Sequence, residues 1–517
     1  MHMNIASWLV AALPIIVLLF GILGLKWSTY KIGAVSWMVA AALALLFFGA
    51  DLQLLLLACS KGLSLALYVL LIIWGAVLLY NIADLAGAIS IIGRTIAKVT
   101  NDKLTLCLLL AWCFTSLLQG LAGFGVPVAV VAPILVIMGF SPMVAVSACL
   151  VGHSWSISFG SMGSSYNTIQ LVTKIPGEVI GPMMALQFII PIFATGVAVA
   201  HIYGGWKAVR QGAGLILLSG TVMSALLYVM NIIGMAQLAS LGAAVGGCAT
   251  TMIYARLRSS QAPTSTDAAS SQEKPAMGFL TACFPYLTLI AVSIVSQISA
   301  IKSALSRFAW GFDYPSLQTS LGYTVDEVKM YSKIQWFSHP APVLLLSALI
   351  GYVVYVQAAK VNPSIMGKAL TSTVKKCIST SVGIATMVMM ALIMSDSGMT
   401  LLLAEGIGQV VGAFYPIFSP FIGVLGSFLT GSNTNSNIMF GMLQFETAQV
   451  LGKSGVIMAA LQSVGGSLGV SISPSSIMMG ATNVGLTGQE DKIMAVTLKY
   501  CIPITLLLGI VMWIATL

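Results

Sequence analysis

The chain has 517 residues, of which 58% are hydrophobic and only 7% charged, with a mean hydropathy of +0.99. A soluble domain carries about 25% charged residues, so this chain cannot cover a water-facing surface and a lipid bilayer must be its solvent. The net charge of +9 sits in short loops between apolar runs, the pattern of orientation signals, which excludes nucleic acid as a partner.

Spanning a bilayer takes roughly 20 apolar residues. In chain order, apolar runs fall at about 5–25, 33–50, 62–83, 104–119, 127–139, 143–160, 179–202 and 212–232. They continue at about 236–255, 278–298, 340–357, 377–396, 414–430, 438–450, 456–469 and 493–516. The first run exceeds a signal-peptide core and lacks a convincing cleavage site, so it is expected to stay as a span. Runs 127–139, 438–450 and 456–469 are too short to cross upright and read as re-entrant or half-length helices. Cys59, Cys107, Cys113, Cys149, Cys248, Cys283, Cys377 and Cys501 all lie in apolar stretches without a Cys-x-x-Cys pair. They read as small packing residues, with no metal or disulfide framework.

Lys and Arg set the orientation. Lys26 and Lys31 place the first connection inside and the N-terminus outside. Arg94, Lys98 and Lys103, then Lys207 and Arg210, then Arg256, Arg258 and Lys274, then Lys360, Lys368, Lys375 and Lys376 mark further inner connections. The segment 299–338 and the C-terminus then fall outside. The organisation expected is N-terminal helices over 1–61, a first half over 62–255, a cytoplasmic linker over 256–277, connecting helices over 278–376 and a second half over 377–517. Residues 259–275, rich in Ser, Thr, Ala and Gln, read as a flexible part of that linker.

Two apolar runs are interrupted at membrane depth. Gly120, Gly123 and Gly125 break the first before Pro127, and Gly431-Ser-Asn-Thr-Asn-Ser-Asn437 breaks the second. Backbone there must be buried in protein or line a watery cavity. Two such breaks, one per half, mark the binding site of a secondary transporter. They are expected to lie together near the bilayer midplane, between half-helices. Glycines alone also suit tight helix packing. That alternative is weaker for the second break, whose three Asn, two Ser and one Thr are costly in hydrocarbon unless something uses them.

The halves carry a faint repeat. Ser116-x-Leu118-x-Gly120 and Ser427-x-Leu429-x-Gly431 stand at one constant offset, shared by Gly87 and Gly398. Arg94, Lys98 and Lys103 follow the long span of the first half, whereas the counterpart 397–412 carries only Glu405. One faces the cytoplasm and the other does not, so the halves are inverted. The fold class expected is an all-α polytopic membrane protein with two inverted repeats, broken helices and re-entrant hairpins.

Helix N-termini aim N–H groups and a positive dipole end at what precedes them. Pro127 suits a first helical position, Asn433, Thr434, Asn435, Ser436 and Asn437 offer cap side chains, and Ser473-Pro474 repeats the signal. None is charged. They could bind a carboxylate through hydrogen bonds and dipoles, and a hydroxyl through Ser, Thr or Asn, which suits a small hydroxy acid. His153 and Glu446 lie within apolar runs; each reads as either a satisfied structural group or a proton carrier. Asp84 and Asp396 sit near span ends and are expected to be solvated. Metal-ligand spacing, a nucleophile elbow and a phosphate loop are all lacking, so neither an enzyme nor a cofactor is expected. A channel would not need inverted broken helices.

At these residues the chain resembles the bacterial lactate permease family. The shared motifs are Gly120-Leu-Ala-Gly-Phe-Gly-Val-Pro-Val-Ala129, Phe159-Gly-Ser-Met-Gly163, Lys333-x-x-Trp-Phe-Ser338, Leu429-Thr-Gly-Ser-Asn-Thr-Asn-Ser-Asn437, Ile472-Ser-Pro-Ser-Ser476 and Val484-Gly-Leu-x-Gly488. The resemblance implies a symporter of L-lactate, D-lactate and glycolate in the plasma (inner) membrane of a prokaryote, usually proton-driven. More distantly it is similar to the ion-transporter superfamily, which implies elevator motion; a homodimer is compatible with it. Gln119, Gly120, Gly123, Gly125, Ser161, Asn433, Thr434, Asn435, Ser436 and Ser473 are the substrate-binding residues implied. Gln119 and Asn433 stand where the family usually has Glu and Asp, Val470 where it has Lys, and His153 where it has a neutral polar residue. His153 and Glu446 are therefore the ion-coupling candidates. The alternative is a sodium-coupled or uncoupled carrier of another small organic anion.

Overall fold

Long apolar stretches become helices because only helices satisfy their own backbone in lipid, and Gly, Pro and hydroxyl residues decide where each one stops. The computed structural model describes residues 5–121, 123, 125–258, 277–296, 301, 307–337 and 339–517. Among these the chain is nearly all helical, with twelve helical segments long and apolar enough to cross a membrane. The linker expected over 259–275 lies outside the described residues, as do Ala122 and Phe124 of the first break.

Two N-terminal helices, α1 (Ile5–Leu23) and α2 (Thr29–Phe47), precede two series of elements. The first series is α3 (Leu52–Leu85), α4 (Ala88–Ala97), α5 (Lys103–Leu121), α6 (Val126–Ile137), α7 (Pro142–Gly152), α8 (Gly160–Thr173) and α9 (Gly177–Ile232). Helices α10 (Ala239–Arg258), α11 (Phe279–Ser296) and α12 (Pro340–Gln357) connect it to the second. The second is α13 (Ile365–Asp396), α14 (Met399–Val411), α15 (Tyr415–Thr430), α16 (Asn433–Val450), α17 (Gly455–Gly469), α18 (Pro474–Asn483) and α19 (Glu490–Ile514). The long helices α3 and α13 pack against each other.

Each series contains a folded-back pair. Lys103 Nζ, at the start of α5, donates to the carbonyl of Met138, just past the end of α6, at 3.0 Å. The two ends therefore lie side by side, and α5 and α6 run antiparallel. In the second pair Tyr415 Oη and Ser419 Oγ of α15 donate to Gln444 Oε1 of α16 at 2.6 and 2.9 Å. Gly431 closes α15 with φ +69 and Ser432 caps α16, accepting from the Asn435 N–H at 3.3 Å. One left-handed Gly and one capping Ser turn the chain. The polar run 433–437, expected to be unwound, instead forms the first turns of α16.

Helix α9 doubles back at Gly204 and Gly205, which leave the helical region. A β-carbon on Gly220 would stand 2.6 Å from Phe193, and one on Gly181 2.5 Å from Asn231 Oδ1, so the two limbs are antiparallel. The runs expected at 179–202 and 212–232 are both present, joined by this glycine turn rather than by a loop over 203–211. The segment expected outside contains short antiparallel strands in an otherwise helical chain. Strand β1 (Ala309–Tyr314) pairs with β4 (Val328–Gln335), and β2 (Leu317–Gln318) with β3 (Thr324–Val325).

Helices α15 and α17 meet through glycine. A β-carbon on Gly465 would stand 2.0 Å from the Pro420 carbonyl oxygen, and one on Gly423 2.2 Å from that of Gln462. Backbone cannot yield as a side chain can. Gly465→Val should lower stability by about 1–3 kcal/mol, read as a drop in melting temperature in detergent. Gly214→Ala, whose β-carbon would meet nothing within 4 Å, should leave it unchanged.

Candidate functional site

The site starts from a broken helix. α7 ends at Gly152, His153 caps it, and Ser154–Ser156 forms a short 3-10 turn. α8 then leaves with a bend of 51°. Ser161, Met162 and Gly163 follow with φ of +49, +55 and +69. A non-glycine residue pays about 1–2 kcal/mol to sit there, so surrounding contacts must hold it. One such contact comes from the first hairpin tip: the Gly123 N–H donates to Ser161 Oγ at 2.7 Å. A β-carbon on Gly123 would stand 2.5 Å from Ser161 Oγ and 3.0 Å from Gln119 Nε2. One on Gly160 would stand 2.8 Å from the Gln119 carbonyl oxygen. Gln119, Gly123, Gly160 and Ser161 thus form one tight knot. Gly120 belongs elsewhere, against the backbone of Leu241 in α10, and Gly125 faces Met479 of α18.

The second tip reaches the same broken segment. Asn433 Nδ2 donates to Ser158 Oγ at 2.9 Å and to the Ser463 carbonyl at 3.1 Å. Asn437 Nδ2 donates to the Ser165 carbonyl and to Ser463 Oγ, both at 3.0 Å. The hydroxyls of Thr434 and Ser165 lie 3.0 Å apart. Both tips therefore touch residues 158–165, one through Ser161 and the other through Ser158 and Ser165. Ser473 caps α18, accepting from the Ser476 N–H at 3.4 Å. A β-carbon on Gly431 would stand 2.1 Å from Ser475 Oγ, so tip two also adjoins that cap. Ser436 has spent its one donor: its hydroxyl donates to the Gly423 carbonyl at 2.8 Å and accepts from Gln462 Nε2 at 2.9 Å.

The hydrogen bonds fix what capacity is left. A carbonyl only accepts, so the Ser463 and Ser165 carbonyls require the NH2 faces of Asn433 and Asn437. Their Oδ1 atoms, buried, have no partner; nor do Asn435 Oδ1 and Ser427 Oγ. Asn433 Oδ1 and Ser427 Oγ converge on Gly466, at 2.1 and 3.1 Å from where its β-carbon would stand. An unmet buried polar atom costs about 1–3 kcal/mol. Three buried amide oxygens without a partner suit a cation or a donating hydroxyl better than a carboxylate.

His153 is buried beside the break. Its Nδ1 must carry the proton, because it donates to the Cys149 carbonyl at 2.6 Å, which leaves Nε2 as an acceptor. Glu446 is elsewhere. It lies roughly 20 Å along α16 from Asn433 at 1.5 Å per residue, half-buried with Oε2 unpartnered. Nothing in the sequence singles out Ser463, Gln444 and Gln462. Gln444 Nε2 donates to Gln462 Oε1 at 3.1 Å, tying the return limb of the hairpin to α17. Lys61 is equally inconspicuous in the sequence. That side chain donates to Asp396 Oδ2 at 3.0 Å, and both residues are buried. Asp396 is thus not solvated as expected. Helix α3 begins at Leu52, capped by Asp51, ahead of the apolar run, and so carries Lys61 into the packed region.

The L-lactate permease family model matches residues 7–517. The L-lactate permease of Escherichia coli (strain K12) is 30% identical, over 98% of this chain and 95% of that protein. The L-lactate permease of Bacillus subtilis (strain 168) is 28% identical and the glycolate permease GlcA of Escherichia coli (strain K12) 26% identical, each over 98% of this chain and 95% of theirs. Among solved structures, the YdaH transporter of Alcanivorax borkumensis aligns with a TM-score of 0.45 and 14% identity, over 86% of this chain and 84% of that one. With its many apolar spans, the chain is a multi-pass membrane protein and belongs to the L-lactate permease family.

Proposed function

We propose that this protein is a secondary carrier that moves small 2-hydroxy monocarboxylates, namely L-lactate, D-lactate and glycolate, together with a cation by alternating access. The observation that carries the reading is the meeting of two hairpin tips on one broken helix, among Ser, Thr, Asn and Gln side chains. Relatives named for lactate and for glycolate support the substrate class. Lys103 and Arg94 put the open end of the α5–α6 hairpin in the cytoplasm, and the α15–α16 hairpin then opens outside. In this reading the two series are inverted repeats, both termini lie outside, and the tips meet near mid-membrane, where an elevator motion would carry them. The carboxylate takes donors from Gln119 Nε2 and the Ser and Thr hydroxyls. The substrate hydroxyl donates to an amide oxygen of Asn433 or Asn435.

The proton is the first choice of cation, with His153 nearest the tips. A second reading, sodium in its place, is favoured by the unpartnered oxygens of Asn433, Asn435 and Asn437, which suit a hard cation. Uptake of labelled L-lactate, D-lactate and glycolate into proteoliposomes separates them. A proton gradient alone should drive accumulation in wild type, and less in His153→Ala or Glu446→Gln. Accumulation with a sodium gradient only selects the second reading. Accumulation with neither means a uniporter or exchanger.

A further inference from the structure

Among the described residues, Lys61 and Asp396 are the only Lys, Arg, Asp or Glu that are buried, at 3% and 8% exposure. They join α3 to the end of α13, with Nζ 3.0 Å from Oδ2. The outer strands form their roof. The Tyr314 ring lies 5.6 Å from Lys61 Nζ, its hydroxyl is hydrogen-bonded to Ser60 Oγ at 2.9 Å, and Tyr331 stands edge-on to it at 5.6 Å. Three other titratable groups act electrostatically on Asp396: Lys174 after α8, Tyr331 on β4, and Tyr323 ahead of β3. Tyr323 in turn feels Glu446 of α16 and Asp326. Gly398, two residues past Asp396, lines with Gly322, Tyr323, Leu401, Leu402 and Glu405 a cavity of about 130 Å³, several times what one water needs.

We propose that Lys61 and Asp396 form an outer binding site for the substrate carboxylate, opened when Asp396 takes up a proton. The proposal rests on the monocarboxylate and proton reading given above. A buried charge is tolerated only when paired. A proton alone on Asp396 would leave the Lys61 ammonium uncompensated, and a carboxylate alone would add an unpaired anion. Together they are neutral. A proton from the outer water forms an O–H bond on Asp396 Oδ2, the ion pair separates, and the substrate carboxylate takes the vacated place on Lys61 Nζ. The site carries no net charge before or after, so proton and monocarboxylate load one for one. Coupling of this kind needs no acid at the hairpin tips, where Gln119 and Asn433 are neutral, and it puts the coupling proton on Asp396 in place of His153 or Glu446, so that His153→Ala and Glu446→Gln should then keep proton-driven accumulation. It also explains why a cation absent from the tips is present here.

The test uses the full-length protein in proteoliposomes, with labelled L-lactate, checked for folding by gel filtration. Two assays are run across pH: exchange against internal lactate, and accumulation under a proton gradient. Wild-type exchange should weaken as the outer pH rises. Asp396→Asn should lose accumulation, and its remaining, slower exchange should no longer respond to pH. Lys61→Met should raise the KM for lactate at least tenfold. The apolar pair Lys61→Met with Asp396→Leu removes both charges without stranding either, and should also lose accumulation and the pH response. If that pair is folded and accumulates lactate with the wild-type pH profile, Lys61–Asp396 is a structural clamp and the proposal is overturned. If wild type itself shows no lactate exchange, the substrate reading fails, and this site with it.

Discussion

Asn433→Ala and Asn437→Ala should each weaken L-lactate binding roughly tenfold to a hundredfold, the equivalent of losing about 1.5–3 kcal/mol. Each amide supplies two donors across the junction: Asn433 to Ser158 and Ser463, Asn437 to Ser165 and Ser463. Truncation leaves the Ser463 and Ser165 carbonyls short of a partner and frees the second tip from the broken helix. It also removes an unpartnered amide oxygen. Titration calorimetry in detergent measures the loss. Asn483→Ala is the control, because its amide is exposed and donates only to Met479 in its own helix. Full affinity in both Asn433→Ala and Asn437→Ala would remove the second tip from the binding site.

Gly123→Ala should cut the initial rate of uptake about fivefold to a hundredfold. The added β-carbon would stand 2.5 Å from Ser161 Oγ and 3.0 Å from Gln119 Nε2, and overpacking of this kind costs about 1–3 kcal/mol. The cause can be isolated. Ser161 holds φ +49, which glycine adopts freely, so Ser161→Gly removes the obstructing hydroxyl without straining the chain. Gly123→Ala combined with Ser161→Gly should recover much of the rate lost by Gly123→Ala alone, a coupling that independent sites would not give. Equal rates in Gly123→Ala and wild type would mean that the first tip does not work against Ser161. A double variant no better than the single one would place the fault elsewhere in the tip.

The two breaks were legible because polar and glycine residues in apolar sequence are conspicuous. Pro127 and Ser473-Pro474 also announced the helix starts that follow them. What joins the breaks was not legible. Ser158, Ser165 and Ser463 are ordinary hydroxyl residues until the fold brings α8, α16 and α17 together, and no spacing relates Asn433 to a serine so distant in sequence. Asn433–Asn437 read as unwound because their propensity is poor, yet a single capping Ser432 and the buried partners of Asn433 and Asn437 outweigh propensity and start the helix there. Lys61 was hidden by its position just before an apolar run, since helix α3 starts a full turn and more upstream. Its partner Asp396 looked like a solvated end for the same reason: burial by the strands around Tyr314 and Tyr331 is a tertiary fact. Gly204 and Gly205 marked a turn that a wider loop had been expected to make.

Counterflow tests the central claim most directly. Proteoliposomes loaded with unlabelled L-lactate are diluted into a trace of labelled L-lactate, with no ion gradient imposed. A carrier that opens alternately to each side should give a transient internal excess of label that then decays, and glycolate or D-lactate inside should serve in place of L-lactate. The same vesicles loaded with acetate, which lacks the hydroxyl, should give a much smaller excess. Label that only rises to equilibrium, whatever acid is inside, would contradict alternating access and leave a channel; no uptake of any of the three acids would contradict the substrate class.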